Sequence, residues 1–322
     1  MGALIDYVEL RIPSEVFGWA DATVAAAGPA ADPVVLAVAA SGARFRGDLT
    51  RAEMLAARAV GATAPSDPRR CYGLFLLLEV ALFNGRLADS AGLAEELEPL
   101  ATASGDPLRA TFAPLVRALL RAYTGDPAGS VDDAARAREL ALGMGSRMAL
   151  AWTRYADGEV RLDTEPQSAL AMLDGALQEA RAIGDRYLSG VVLVSAASLR
   201  ARHGEPASAA ATFLEAIEHW HQAGDWTHQW ITIRNVVDLL LRAGTDEAAA
   251  VLHGVVTSRT TAAHAFGADA ERLDEARDTL RRRLGAETLA AATRHGAAMD
   301  DHEAVRWTRA RLLEFVPEPA LQ

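Results

Sequence analysis

Side chains that could take part in chemistry are most concentrated between residues 219 and 230. Three histidines and three tryptophans lie there: His219, Trp220, His221, Trp226, His228 and Trp230. His219 and His221 stand about 200° apart around a helix axis, whereas helical zinc sites place two histidines four residues apart, so this pair cannot share a metal ion. His219 could meet His228 only across the turn at Gly224. We therefore expect the tryptophans to pack consecutive helices together and the histidines to be solvated.

Closely spaced carboxylates are the next candidates for catalysis. They are Asp157 with Glu159, and Asp300 with Asp301 and Glu303. Acid–base hydrolysis needs two carboxylates that face one substrate, but spacings of one and two residues on a helix point to different faces. These groups therefore predict an acidic surface or helix caps.

Missing residue types exclude several chemistries. Cys71 is the single cysteine, so the chain has no disulfide framework and no thiolate metal cluster. Its place in the apolar run 71–78 predicts a buried structural thiol. The sequence contains no lysine, which excludes both a P-loop lysine and a Schiff-base lysine. We expect no catalytic residues, no metal site and no cofactor.

Composition favours an all-α protein without a nucleic-acid or membrane surface. Half of the 322 residues are apolar but only 6% are aromatic, and abundant alanine favours close-packed helices over sheets. The formal net charge is −11, whereas nucleic-acid binding draws on a basic patch. The N-terminus lacks the basic region of a signal peptide, and no uncharged apolar run approaches the roughly 20 residues of a membrane span. We predict a soluble cytoplasmic protein.

Two interleaved series of turn residues organise the helices that carry these groups. The first series closes what we call the A helices, at Gly47, Gly85, Gly125, Thr164, Gly204 and Gly244. The second closes the B helices, at Gly105, Gly145, Gly184, Gly224 and Gly267. Each step along either series is about 40 residues, enough for one pair of helices, and this periodicity indicates an α-solenoid.

The B helices repeat a small, large, small pattern five, nine and twelve residues after the preceding turn. Its instances are Ala209, Phe213 and Ala216; Ala169, Leu173 and Ala176; and, with alanine throughout, Ala52, Ala56 and Ala59. The spacing resembles that of tetratricopeptide (TPR) repeats. The resemblance implies a right-handed αα-superhelix in which small residues let the A and B helices approach and the bulky residue fills the space between repeats. The longer period indicates longer helices than the usual 34-residue repeat contains.

Three regions follow from this punctuation. Residues 1–27 form an N-terminal half repeat, residues 28–267 form about six TPR-like hairpins, and residues 268–322 form a helical C-terminal cap and tail. Ser14 is a predicted helix cap, and Asp32-Pro33 opens the next helix. Charged helices at 268–284, 287–295 and 301–315 fit the polar end that a solenoid needs.

The half repeat also predicts an interface. If the chain starts at residue 1, its first helices lack a preceding partner and should expose Phe17, Trp19 and Val24. Exposed apolar faces of this kind mark contact surfaces. We expect this one to be covered by an upstream domain or by a second copy, which would make a homodimer.

Two stretches resemble a narrower family. They are Gly-Asp-Trp-Thr-His-Gln-Trp at 224–230 with the helix that follows to 237, and the ending that carries Leu284-Gly285, Leu289 to Ala292, Gly296, Met299 and Glu303-Ala304-Val305. They resemble the C-terminal helical-repeat region of actinobacterial STAND and LuxR-type multidomain regulators, which combine an ATPase module with a cyclase or transcription-regulator domain. The sequence has no Gly-x-x-x-x-Gly-Lys loop, so the resemblance implies the sensor or scaffold arm alone.

A groove is the most plausible binding surface of such a chain, because A helices line the concave face of these solenoids. Positions nine and ten residues before each A-helix turn are apolar in the first three repeats. In the later repeats they become polar: Arg154, Tyr155, Ser195, Arg234 and Asn235. Arginine binds carboxylates and phosphates through two parallel hydrogen bonds. These residues could therefore bind an acidic peptide or effector, or they could be structural polar groups between repeats.

The sequence thus predicts a non-enzymatic protein-interaction or regulatory scaffold of a bacterial signalling system, with a protein or peptide partner. The first alternative is a sensor that closes on a small effector. The second is a helical enzyme of a biosynthetic pathway, which would require histidine and carboxylate side chains from separate repeats to converge.

Overall fold

The computed structural model describes residues 11–12, 14–259 and 263–317, except for the side chains of Ser104 and Pro107. Within these ranges the protein is 82% helical and contains no strand, so the all-α prediction is confirmed. No helix in the same ranges is long and apolar enough to cross a membrane.

The described residues form sixteen α-helices and one short 3-10 turn, Gly28–Ala30. The helices are α1 (Ser14–Ala27), α2 (Pro33–Phe45), α3 (Leu49–Gly61), α4 (Arg70–Phe83), α5 (Leu87–Ser104), α6 (Pro107–Tyr123), α7 (Pro127–Gly143), α8 (Arg147–Glu159), α9 (Pro166–Ile183), α10 (Arg186–His203), α11 (Pro206–Ala223), α12 (Trp226–Arg242), α13 (Asp246–Thr257), α14 (Ala268–Leu284), α15 (Ala286–Ala298) and α16 (Asp301–Leu313).

Helices that follow one another in sequence also pack together, within two compact units. Unit 1 extends to Val192 and unit 2 begins at Leu193. In unit 1 the pairs α2/α3, α4/α5, α6/α7 and α8/α9 are in contact, and A helices also touch the next A helix, as α2 touches α4. In unit 2, α11 packs on α12 and α12 on α13. This consecutive pairing is the packing expected of a helical repeat protein.

A repeated Gly-Asp pair makes many of the sharp turns between helices. At Gly224 φ is 68°, a left-handed conformation that only glycine adopts without strain. Asp225 then caps α12 by accepting a hydrogen bond from the His228 amide at 2.9 Å. The same left-handed glycine recurs at Gly47, Gly85, Gly105, Gly125, Gly145, Gly184 and Gly244. The predicted helix start at Asp32-Pro33 is confirmed, and Asp32 caps α2 by accepting a hydrogen bond from the Val34 amide at 2.8 Å.

The small, large, small pattern of the B helices is buried as expected. Phe213 and Leu173 are fully buried, as are Ala169 and Ala176 beside Leu173. A methyl group on Gly158 of α8 would lie 3.0 Å from Leu173 Cγ, closer than ordinary van der Waals contact. The absence of a side chain at that position therefore allows α8 and α9 to approach closely.

The helix end predicted at Gly267, the last member of the B-helix series, is wrong. Gly267 does not close α13, which ends ten residues earlier at Thr257, but precedes the first residue of α14. Ser258 ends α13 instead, with its hydroxyl donating to the Val255 carbonyl at 2.9 Å and its amide to that of Gly254. Such side-chain bonds to the preceding turn compete with helix continuation, and a sequence period contains no information about them.

The expectation that α1 exposes a whole apolar face is also wrong in part. Phe17 and Val24 are buried, at 4% and 7% exposure, because α1 packs on α2. The Phe17 ring lies 5.3 Å from that of Phe45, and Gly42 leaves the space that it fills. Trp19 is 69% exposed, as predicted, and its role in an interface remains a prediction.

Candidate ligand site at the α11 to α12 turn

A cavity of about 110 Å³ lies at the turn between α11 and α12 in unit 2. It is lined by Trp220, His221, Gly224, Asp225, Trp226, Gln229 and His302. The first residues belong to the end of α11 and to the turn, the next two to the first turn of α12, and His302 to the first turn of α16. Helix α16 can contribute because it packs on both α11 and α12.

Aromatic rings form two sides of this cavity. Trp220 is fully buried, and its ring is stacked on that of His228 with the centroids 4.6 Å apart. The Trp226 ring meets the His302 ring edge to face at 5.2 Å. Stacked and edge-to-face contacts are preferred geometries for aromatic pairs, so the turn is packed by two such pairs at the cavity.

A carboxylate and a histidine lock the turn itself. Asp225 is 1% exposed, and its Oδ1 accepts from the backbone amide of His228 while its Oδ2 lies 2.8 Å from Nδ1 of the same residue. The expectation that the histidines are solvated is therefore wrong for His228, which is 6% exposed, although His221 is exposed. The reason is the spacing: a residue three positions after an Asp cap lies next to the cap carboxylate.

Gln229 is the most informative residue of the cavity. Its side chain is buried, with the residue 2% exposed, yet neither its Nε2 nor its Oε1 has a hydrogen-bond partner among the described residues. An unsatisfied buried polar group costs about 1–3 kcal/mol, and most buried side-chain polar atoms are paired. The Gln229 amide is therefore a buried polar group, next to the cavity, whose donor and acceptor have no partner among the described residues.

The predicted groove residues lie in two different units. In unit 1, Arg154 forms an ion pair with Glu179 at 2.5 Å, and Tyr155 is 6% exposed with its ring edge-on to Trp152 at 5.9 Å. Both residues thus have structural partners within α8 and α9, and their role in binding remains a prediction.

The unit 2 members of that set are largely buried. Ser195 and Asn235 are each 8% exposed. Arg234 donates to the Asp269 carboxylate at 2.8 Å and to the Ala263 carbonyl at 3.2 Å, which ties α12 to α14. A ligand carboxylate at Arg234 would have to share or replace the Asp269 carboxylate.

Other candidate catalytic groups have ordinary structural contacts. The buried thiol predicted at Cys71 is confirmed. Asp157 pairs with Arg161 at 3.4 Å, and Glu159 accepts a hydrogen bond from the Tyr123 hydroxyl at 3.0 Å. Within residues 11–12, 14–259 and 263–317, no three metal-ligating side chains lie close enough to hold one ion.

Unit 1 contains a buried polar cluster that the sequence does not reveal. Arg44 is 1% exposed, lies 3.4 Å from the Glu79 carboxylate, and donates to the Tyr187 hydroxyl at 2.7 Å. A cavity of only about 10 Å³ adjoins these side chains, about the space of a single water molecule. The cluster therefore has a structural role, since it joins α2, α4 and the start of α10.

Near it, Asp185 caps α10 in a buried setting. Its carboxylate accepts from the Leu188 amide at 2.9 Å and from the Trp152 indole at 3.1 Å. Burial is the main cause that raises the pKa of Asp185 to about 6, because removal from water disfavours the charged form.

Comparison with known proteins adds no assignment. The sequence matches no model of a known protein family, and no curated protein matches it. What can be said of function therefore comes from the residues and their geometry.

Proposed function

We propose that this chain is a non-enzymatic binding module of a bacterial regulatory system, built from TPR-like hairpins in a right-handed superhelix and holding a protein or peptide segment. The observation that carries the proposal is the recurrence, about every 40 residues within each series of turns, of a turn that is usually made by a left-handed glycine and joins a close-packed pair of helices. Proteins of this construction bind partners along extended helical surfaces. The resemblance to the repeat arms of STAND and LuxR-type regulators supports a regulatory role.

The polar A-helix positions are the proposed contact residues. In this proposal Arg154 and Arg234 offer guanidinium groups whose present partners, Glu179 and Asp269, would be shared with an acidic segment. Arg154 is the more available of the two, with its side chain 47% exposed against 11% for Arg234. An exposed ion pair contributes little to stability, so the Arg154 pair can open at small cost.

A charge exchange tests this role without disrupting the fold. The double variant R154E/E179R keeps an ion pair between α8 and α9 but moves the positive charge to the other helix. Native mass spectrometry of the protein purified from its own host should show a protein partner at fixed stoichiometry on the wild type and its loss from the double variant. The matched control R277E/D274R exchanges an exposed pair within α14 and should keep the partner.

Two outcomes would count against the scaffold. One is a wild-type spectrum that shows only the bare chain mass. The other is a partner that remains bound to the charge-exchanged variant as firmly as to the control, since this would place the contact elsewhere.

A small-molecule sensor is the second candidate, and the cavity at the α11 to α12 turn favours it. The lining of this cavity combines the aromatic residues Trp226 and His302 with a few polar groups, and small-molecule sites combine aromatic walls with few polar groups in this way. In the same spectrum a sensor would retain an extra mass of a few hundred daltons, roughly the size of a drug-like ligand, instead of a protein.

A further inference from the structure

We propose that the exposed face of α1 binds the same face of a second copy of this chain, with the two α1 helices antiparallel about a two-fold axis. This face is not the one predicted from the sequence, since Phe17 and Val24 are buried where α1 packs on α2. The inference concerns unit 1 alone. It depends neither on the groove residues nor on the cavity in unit 2.

Two of the exposed large apolar side chains lie together at α1. Trp19 is 69% exposed, more than any other large apolar residue that the structure describes, and Met54 of α3 is 53% exposed. Met54 shares a helix face with Arg51 and Arg58. These two arginines bond to a carboxylate of α1 and to the carbonyl just after α1, at 3.0 and 2.8 Å, so Met54 lies beside α1. Aromatic residues and methionine are enriched at protein interfaces.

The same face also offers a place to receive an indole. Ala22 and Ala26 follow Trp19 at helical spacing on its side of α1, and both alanines are exposed. A methyl group added to Gly18 would have no atom within 4 Å, so the space beside Trp19 is open. The face therefore carries one projecting ring and a flat area one turn away. A two-fold contact requires both parts on one surface, because the same patch serves both copies.

Charges at the two ends of this face are complementary to each other. Glu15 lies one turn before Trp19 on the same side of α1 and is exposed. At the other end, Arg58 donates to the Gly28 carbonyl. Neither Glu15 nor Arg58 forms an ion pair within the part of the chain that the structure describes. One carboxylate and one guanidinium are thus left at opposite ends of the face.

One register satisfies the apolar and the charged groups together. When Trp19 of each copy lies opposite Ala22 of the other, Glu15 lies opposite Ala26, because antiparallel helices count in opposite directions. Ala26 is within one helical turn of Gly28, at which Arg58 is bound. Two equivalent Glu15 to Arg58 pairs then form across the axis. This self-complementarity is the reason to assign the face to a second copy rather than to another protein.

The contact is small, so the dimer should be weak. Helix α1 has 14 residues and is about 21 Å long. A pair of such helices buries less than the roughly 1,200–2,000 Å² of a stable complex. We expect a dissociation constant on the order of 100 µM.

Sedimentation velocity of the full chain, at concentrations on both sides of the expected Kd, measures this association. Trp19→Ala should raise the Kd at least about tenfold, because a central tryptophan dominates a small interface. Its circular dichroism should match the wild type, since the side chain is exposed. The matched control is Leu142→Ala, which removes another exposed apolar side chain of unit 1, on α7, and should dimerise like the wild type.

Charge reversal tests the register. Glu15→Arg and Arg58→Glu each place like charges at both ends of the contact and should each raise the Kd about tenfold. An equimolar mixture of the two variants should associate like the wild type, because residue 15 of each copy then meets an opposite charge at residue 58 of the other. Recovery on mixing also separates lost charge from lost structure. Glu139→Arg on the surface of α7 changes the net charge equally and should leave association unchanged.

Three results would overturn the inference. A wild type that stays monomeric at about five times the expected Kd would leave the face to a different protein. Equal association of Trp19→Ala and Leu142→Ala would remove α1 from the contact, and a mixture that associates no more tightly than either charge variant would contradict the antiparallel register. None of them bears on the partner lost or kept in the R154E/E179R experiment, so the scaffold proposal fails or succeeds separately.

Discussion

Helices α13 and α15 cross with glycine on both sides of the contact. Gly254 of α13 and Gly296 of α15 are buried, and the two helices pack on each other in unit 2. A methyl group on Gly296 would lie on the Val251 carbonyl oxygen and 2.9 Å from the Val255 amide nitrogen. Ordinary contacts begin at 3.4 Å, so Gly296→Ala would force the two backbones apart.

The cost follows from the atoms involved. Backbone atoms inside a helix cannot rotate away, so the helices must separate and lose part of their packing, which for overpacked sites costs about 1–3 kcal/mol. Because the clash is with backbone atoms, we take the upper end of this range, about 3 kcal/mol. Replacing a helical glycine with alanine gains about 0.5–1 kcal/mol in propensity, so the net expectation for Gly296→Ala is a loss of about 2 kcal/mol. Gly92 in α5 has nothing within 4 Å of an added methyl, and Gly92→Ala should therefore gain about 0.5–1 kcal/mol.

Urea unfolding followed by two signals measures both effects. Far-UV circular dichroism reports all helices, and tryptophan fluorescence reports mainly unit 2, where four of the six tryptophans lie: Trp220, Trp226, Trp230 and Trp307. The fluorescence transition of Gly296→Ala should move to lower urea, while Gly92→Ala should move the dichroism transition to higher urea. A Gly296→Ala protein as stable as the wild type would refute the close crossing of α13 and α15.

Three further predictions concern buried titratable groups. Glu79→Gln should destabilise the protein by about 3–5 kcal/mol in urea unfolding, because it leaves the buried Arg44 without its carboxylate. The pKa of Asp185 is raised to about 6 from an ordinary 3.8, so the folded state favours the protonated carboxyl. As pH rises from 4 to 7, the free energy of unfolding of the wild type should therefore fall by up to about 3 kcal/mol relative to that of Asp185→Asn. Burial lowers the pKa of His253 below 6.5, so stability should fall as pH drops below 6.5, and His253→Gln should reduce that slope.

Matched exposed residues provide the controls for these three changes. Glu53→Gln removes a carboxylate from an exposed pair with Arg86 and should cost less than about 1 kcal/mol. Asp126→Asn alters an exposed cap and should not reproduce the effect of Asp185→Asn, which depends on burial. His295→Gln changes a histidine on the surface of α15 and should not reproduce the effect of His253→Gln. Equal effects at a buried site and its control would contradict the assigned environment.

Local rules made much of the helix plan predictable. A left-handed glycine and an aspartate that caps the following helix both act over a few residues. Gly224 and Asp225 therefore predict the end of α11 and the start of α12. The alanine spacing around Phe213 likewise predicts burial, since helical periodicity fixes which residues share a face. The period failed at α13, which ends at Thr257, well before Gly267, because a repeat spacing does not register the local bond that Ser258 makes to the Val255 carbonyl.

The candidate site depended on the tertiary structure. The sequence drew attention to the His219 to Trp230 region, but it gave no reason to select Gln229, because burial without a hydrogen-bond partner depends on what other helices leave beside a side chain. His302 lies more than seventy residues further along the chain and reaches the cavity only because α16 packs on α11 and α12. Likewise, Arg44 and Tyr187 are brought together by packing between distant helices.

By itself, then, the amino-acid sequence determined the all-α class, most helix ends and the faces that are buried, because these depend on interactions within one or two turns of a helix. Tertiary structure alone decided which polar groups lost water without gaining a partner. It also decided which glycines lie between crossing helices, where a side chain would not fit, as at Gly254 and Gly296. Both depend on atoms from distant parts of the chain, and their positions follow from packing rather than from spacing along the sequence.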